Sequence, residues 1–345
     1  MKTHRNRYTL LHIKILFSVI RKGKINIKKI LNWLHCCCAY LLKLEKSAKS
    51  PFMLSLELWN ECNANCVFCR SKKGEIYDLN SDPMGEKIIK GRMPYEMCVD
   101  IIGQLKDHLL IAVLYTNGEP LIYKDLPRVI KYATDHKVAT MIASNGILLD
   151  EKRGRSLLEV GLDFIKIQLS GFTQDVYSVQ IRNGNVGKLK ENIRNFARMN
   201  KEGGYGTVIL IDYILYNYNR HQLPLVRDFC DELGLMLNTR PGNPKGGLED
   251  KEPPLYTGSL PLKMSCDWLW KAMQVNWNGD VLQCCESVVW SGAEVYEKCT
   301  IGKTGLLEVW NGPKAVAMRQ TMTTKGRGAI PICSGCLRTG MSFKW

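Results

Sequence analysis

Three thiols fall within eight positions in the stretch ECNANCVFCR: Cys62, Cys66 and Cys69. A short loop with that spacing wraps around a centre and turns all three side chains inward, as a metal site requires. Thiolates bind zinc and iron–sulfur clusters alike. Structural zinc closes with four ligands, and no fourth Cys or His follows within the next several residues. A 4Fe-4S cluster held by three cysteines leaves one iron open to a substrate or cofactor, so the missing ligand favours iron without excluding zinc.

A second set lies near the C-terminus, where Cys266, Cys284, Cys333 and Cys336 form C-x17-C…C-x2-C. KAMQVNWNGDVLQCC reads as two short strands around Asn278-Gly279, a favoured pair for a two-residue hairpin turn, which presents Cys284 at a strand end. Cys333 and Cys336 offer the short clip common to zinc and iron–sulfur sites. Cys285 is an alternative to Cys284. Cys98, Cys230 and Cys299 read as packing residues, and a helix would splay the consecutive Cys36, Cys37 and Cys38 around its circumference. Fourteen cysteines in a chain of 345 residues with ample core point to metal or redox chemistry in a reducing compartment, hence a cytoplasmic protein, rather than to disulfides.

The elements that must position these cysteines begin after Pro51. Strand-like runs at 54–59, 108–115, 137–144, 163–170, 207–215 and 235–239 alternate with helical segments near 94–108, 124–136, 150–160, 187–201 and 220–233. Repeated βα units with almost continuously apolar strands predict a parallel sheet buried on both faces. In such sheets the ligand site lies at the C-terminal strand ends, and the first cysteines follow the first strand directly. The expected layout is a basic helical extension (1–50), a core (51–240), a Pro- and Gly-rich linker (241–262) and a small Cys-rich domain (263–345).

At these residues the chain resembles the radical S-adenosylmethionine (SAM) superfamily. CNANCVFC has that family's Cys-x3-Cys-x2-Cys loop after strand one, NGEPLIYKDL is similar to its GGEP segment with Asn117 in place of the first Gly, and SNG (144–146) and QLSG (168–171) close strands three and four. The resemblance implies a partial (β/α)6 barrel and a SAM-binding 4Fe-4S cluster on Cys62, Cys66 and Cys69. Phe68 would lie against the adenine, Gly118 would admit close backbone approach, Glu119 would accept from the SAM ammonium, and Pro120 would fix the turn. Asn145, Ser170 and Arg182 are similar in placement to residues that hold SAM in relatives. The implied chemistry is reductive cleavage of SAM to a 5′-deoxyadenosyl radical that removes hydrogen from a peptide or a sugar-like small molecule, fed by a flavodoxin- or ferredoxin-type electron donor.

The C-terminal cysteines resemble a SPASM/Twitch domain, an extension that holds auxiliary 4Fe-4S clusters, and the likeness continues through IGKTGLLEVWNG (301–312). No cysteine follows Cys336, so the match is to the one-cluster form, with Cys266, Cys284, Cys333 and Cys336 as its four ligands. A cluster closed by four ligands suits electron transfer, making the net reaction an oxidation. Some relatives carry an acid beside the hairpin cysteine as a proton acceptor; Cys285 stands at that place here, leaving Glu286 as the candidate base.

The net charge of +15 is concentrated at one end, since residues 1–50 hold twelve Lys or Arg against a single acid, Glu45. The remainder is close to neutral and gives no sign of a nucleic-acid partner. Residues 8–21 and 26–46 read as helices, with Ile27, Ile30, Leu31, Leu34, Cys38, Leu41 and Leu42 at helical spacing. Packing on the body and peripheral attachment to an anionic membrane are both open, and no apolar run is long enough to span a bilayer. The competing functional reading is a zinc-stabilised binding protein whose basic arm contacts nucleic acid or membrane.

Overall fold

The computed structural model describes residues 17–67, 90–241, 265–285, 294–334 and 336. Six parallel strands run in chain order: β1 (Met53–Leu56), β2 (Ile111–Val113), β3 (Ala139–Ser144), β4 (Phe164–Gln168), β5 (Val208–Leu215) and β6 (Met236–Pro241). Three more join beyond β1: β7 (Ala272–Val275), parallel to it, then β8 (Asp280–Leu282) and β9 (Val295–Lys298), each antiparallel to its neighbour. The sheet is open, with β6 and β9 at its edges. It is the α/β architecture expected for the core, extended by strands from the C-terminal region.

Alternation along each strand divides two cores. Leu54, Leu56, Ala112, Ile142, Ile165, Ile167, Ile209 and Ile211 pack under the crossover helices Tyr95–Leu105, Leu126–Asp135, Glu151–Glu159, Val186–Glu202 and Leu223–Glu232. Met53, Val113, Ala139, Met141 and Phe164 point the other way, where Val19 and Cys36 of the N-terminal arm and Trp268 cover them. That second face carries the site described below.

Two elements depart from the sequence expectation. The hairpin loop is Trp277–Asn278–Gly279, three residues long: the Gly279 amide donates to Asn276 O (2.8 Å), Asn276 pairs with Asp280 (2.9 Å), and Gly279 takes φ +89°. A turn closed by a left-handed glycine suits the strand twist as well as the two-residue form does, so Asn-Gly alone does not fix the loop length. The arm helix, expected over 26–46, spans Ile27–Leu41. It ends because Lys43 adopts φ +54° and the Leu44 amide turns back to Ala39 O (2.9 Å), a C-terminal cap usually signalled by glycine. The helix Gln174–Gln180 was not expected at all.

Candidate functional site

The loop bearing Cys62 and Cys66 leaves the C-terminal end of β1 and is held from two sides. On one side the Asn145 Nδ2 donates to Asn63 Oδ1 (3.0 Å) and to Cys62 Sγ (3.6 Å). On the other, Asn65 N donates to Asn183 Oδ1 (2.6 Å), Asn183 Nδ2 to Asn63 O (2.9 Å), Arg182 N to Asn65 O (3.1 Å) and Val67 N to Gln180 O (2.9 Å). Asn63, Asn183 and Gln180 were not singled out in the sequence, because a residue that fixes a loop through backbone groups carries no motif. Phe68 and Cys69 lie outside the described residues.

From below, the loop rests on the NGEP turn. Gly118 has φ +73°, and a Cβ there would stand 2.5 Å from Trp59 O and 2.6 Å from Glu61 O, so only glycine lets the two segments touch. The next amide, Glu119 N, donates to Glu61 O (2.8 Å). The Glu119 carboxylate, expected to meet SAM, is buried and engaged internally: Oε1 accepts from Ser144 Oγ (2.8 Å) and Leu121 N (3.0 Å), and Oε2 from Asn145 N (2.8 Å). Burial holds its pKa up at about 7 against these stabilising donors. Pro120 opens the short 3-10 turn that follows. Ser170 is fully buried and its hydroxyl has no hydrogen-bond partner; such an orphan fits a ligand group. The Arg182 side chain is exposed beside the loop.

The second cysteine set gathers at the other end of the sheet. Because β8 runs antiparallel, its exit carries Cys284 back to the level where β1 and β7 begin, and Cys266 lies just ahead of the short helix Trp268–Lys271 that leads into β7. Burial first, then the neighbouring Cys284 and Cys333 thiols, push the Cys266 thiol up. Burial first, then Cys284 and Cys336, raise Cys333 to about 12. Cys284 is in electrostatic reach of both Cys266 and Cys333. Neighbouring thiolates that would repel one another are relieved when they ligate cationic metal centres, which fits a cluster. Among the described residues no three Cys, His, Asp or Glu side chains close on a single ion, and a four-iron cluster, being wider, holds its thiolates further apart. Arg327 sets the clip, donating from Nε to Cys333 O (3.1 Å) and from Nη2 to Cys336 O (2.6 Å). Glu286 lies outside the described residues.

Between the two sets the same face is polar. Ser55 Oγ lies 3.3 Å from Thr116 Oγ1, which bonds the Gln274 amide (3.2–3.3 Å), and Glu57 Oε1 accepts from Asn117 Nδ2 (2.9 Å). Glu57 is buried and its pKa is lifted to about 7 by that burial. Asp212 on β5 accepts from Asn238 Nδ2 (2.6 Å) and pairs with Arg240 (3.2 Å). Lys166 on β4 holds its ammonium 5.5 Å from the Tyr115 ring. Its pKa is raised because Tyr115 and Asp212 more than offset burial. These polar groups are satisfied by one another, which keeps a polar surface on this face of the sheet.

Residues 56–230 match the model of the Radical SAM superfamily, and residues 266–337 match an iron–sulfur cluster-binding domain, SPASM. The chain belongs to the radical SAM superfamily and is an enzyme of it with a C-terminal SPASM domain. The two domains imply 4Fe-4S clusters and SAM as cofactors. Among characterised relatives, a PqqA peptide cyclase of Granulibacter bethesdensis is 26% identical over 53% of this chain and 45% of its own length. A probable GTP 3′,8-cyclase of Methanococcus maripaludis is 26% identical over 53% of this chain and 56% of its own. The chain thus spans about half the length of the curated relatives it matches. In fold it is similar to Streptococcus suis SuiB (TM-score 0.59, 16% identity, 82% of this chain and 70% of that one). It is equally similar to SuiB bound to S-adenosylmethionine (TM-score 0.58, 17% identity, 81% and 70%).

Proposed function

We propose that this enzyme is a radical SAM oxidoreductase that removes a hydrogen atom from a peptide or a sugar-like small molecule, in the cytoplasm. The observation that supports this is that Cys62 and Cys66 follow the C-terminal end of β1 while Cys266 and Cys284 lie at the level where β1 and β7 begin, with polar side chains on the strands between them. A substrate held there would lie between a radical source and an electron acceptor. Cys62, Cys66 and Cys69 would hold the SAM-binding cluster, and Cys266, Cys284, Cys333 and Cys336 the auxiliary one. Together with SAM, these groups supply a 5′-deoxyadenosyl radical and a one-electron sink, with a flavodoxin- or ferredoxin-type protein as donor.

The chain's own residues bind and orient. Asn145, Asn183 and Gly118 fix the cysteine loop, Phe68 would back the adenine, and the unpaired Ser170 hydroxyl and the Arg182 guanidinium suit the SAM carboxylate. Glu119, with one acceptor position left on Oε2, and Pro120 hold the turn beneath it. Lys166, Asp212 and Arg240 would contact substrate, and Glu286 would take up the proton that leaves. A peptide substrate is favoured by the relative named as a PqqA peptide cyclase and by the SuiB structure titled as bound to precursor peptide SuiA.

Exchange of Cys62, Cys66 and Cys69 for Ala should abolish the formation of 5′-deoxyadenosine from SAM and reductant, and remove about half of the iron. Exchange of Cys333 and Cys336 should remove the other half and leave that cleavage intact. Equal loss of cleavage in both variants would make the second site structural, and zinc in place of iron would defeat the reading.

A further inference from the structure

The arm helix Ile27–Leu41 is mounted with its apolar side outward. Lys29, Asn32, Cys36 and Ala39 form its buried stripe, while Ile27, Ile30, Leu31, Trp33, Leu34 and Leu41 are between 37% and 72% exposed. Phe17 and Ile20 before the helix, and Leu42 and Leu44 after it, are likewise exposed. Surface helices ordinarily do the opposite.

This orientation is fixed by contacts along the whole arm. Ser18 Oγ donates to Gly206 O (3.0 Å), and Lys24 Nζ pairs with the buried Asp163 (2.6 Å). Lys29 Nζ caps Lys137 O, Asn32 Nδ2 donates to Ser50 O (2.9 Å), and Ser47 Oγ to Trp270 O (2.6 Å). Rotating the helix to hide its leucines would strip these buried polar groups of their partners, so the exposed face is built in.

We infer that this face is a docking surface for an anionic lipid bilayer, on which the arm lies flat. Charge selects the occupant. Exposed Arg21, Lys28, Lys46 and Lys49 belong to the same arm as the apolar face, and Glu45 is the sole acid of residues 1–50. A second copy would bring two arms together at +11 each, whereas a phospholipid surface of opposite sign attracts the cations and takes up the leucines and Trp33 at headgroup depth. Among the described residues no helix is long and apolar enough to cross a membrane, so the contact is peripheral. The inference does not depend on the chemistry proposed above.

Flotation of the anaerobically prepared full chain with phosphatidylglycerol–phosphatidylethanolamine vesicles tests it, with phosphatidylcholine vesicles as the control. The chain should float with the anionic vesicles only, and less as salt rises. Leu31→Ser/Leu34→Ser/Leu41→Ser should weaken binding at least ten-fold, and each of Lys28→Glu and Lys46→Glu about five-fold or more. All variants should keep the wild-type circular dichroism and cleave SAM at the wild-type rate. No flotation, equal flotation on both vesicle types, or triple-variant binding equal to wild type would overturn the inference. So would concentration-dependent dimerisation in sedimentation velocity that the triple substitution abolishes, since the face would then belong to a second copy.

Discussion

Glu57 and Glu119 share one physical condition: each is buried, and each carboxyl sits at about 7 rather than the ordinary 4.5 because burial penalises its charge. Between those two values the folded chain keeps protons that the unfolded chain has released. The contribution of these two carboxyls to stability should therefore be full below about pH 4.5 and be lost as pH rises through about 7. Glu57→Gln keeps an acceptor for Asn117 and removes one of the two titrations, so the decline in urea midpoint across that window should shrink by about half. Residue identity was well signalled where a close backbone approach demands it, as at Gly118. It was not signalled for Arg319, whose buried guanidinium donates to Leu269 O and to Glu45 O, the second 274 positions away. No local pattern announces a partner more than two hundred positions away.

Among elements, the loop after β1 and the turn after β2 act as one unit, because Gly118 lets their backbones meet. Gly118→Ala puts a methyl group into two carbonyl oxygens at a backbone conformation unfavourable for alanine. The expected cost is at least about 2 kcal/mol. Urea unfolding should show the loss of stability, and iron analysis a loss confined to the first cluster. Element types were legible from period and composition: the six parallel strands and their crossover helices fall close to where apolar runs predicted them. The helix Gln174–Gln180 escaped because its buried residues are Val176, Tyr177 and Gln180, too few and too polar to mark a face. For the arm, the apolar period identified a helix correctly, but period does not say which side faces water. Contacts to distant residues decided that.

In the molecule as a whole, the arm is tied to the sheet across long stretches of chain. Lys24 reaches Asp163, which also accepts from the Thr140 amide (2.8 Å), so one buried carboxylate joins the arm, β3 and the start of β4. Lys24→Met should cost about 3 kcal/mol, the penalty of leaving a buried charge short of its partner. Limited proteolysis should then cut within residues 17–50 faster than in the wild type, while the rest of the chain resists. The two separate groups of cysteines were readable from spacing. That Cys266 and Cys284 lie at the opposite end of the sheet from Cys62 and Cys66 was not, since that depends on β7 pairing with β1, a register no local stretch encodes.

That pairing also sets an order of events during synthesis. β1 leaves the ribosome early with β2 on one side only, and its other edge stays open until β7 is made, some 216 residues after Leu56. Until then the strand that launches the first cysteine loop presents unpaired amides and carbonyls to any passing chain. Completion of the sheet is thus a late step that awaits the C-terminal region, and the nascent enzyme must be kept from aggregating through the strand on which its chemistry depends.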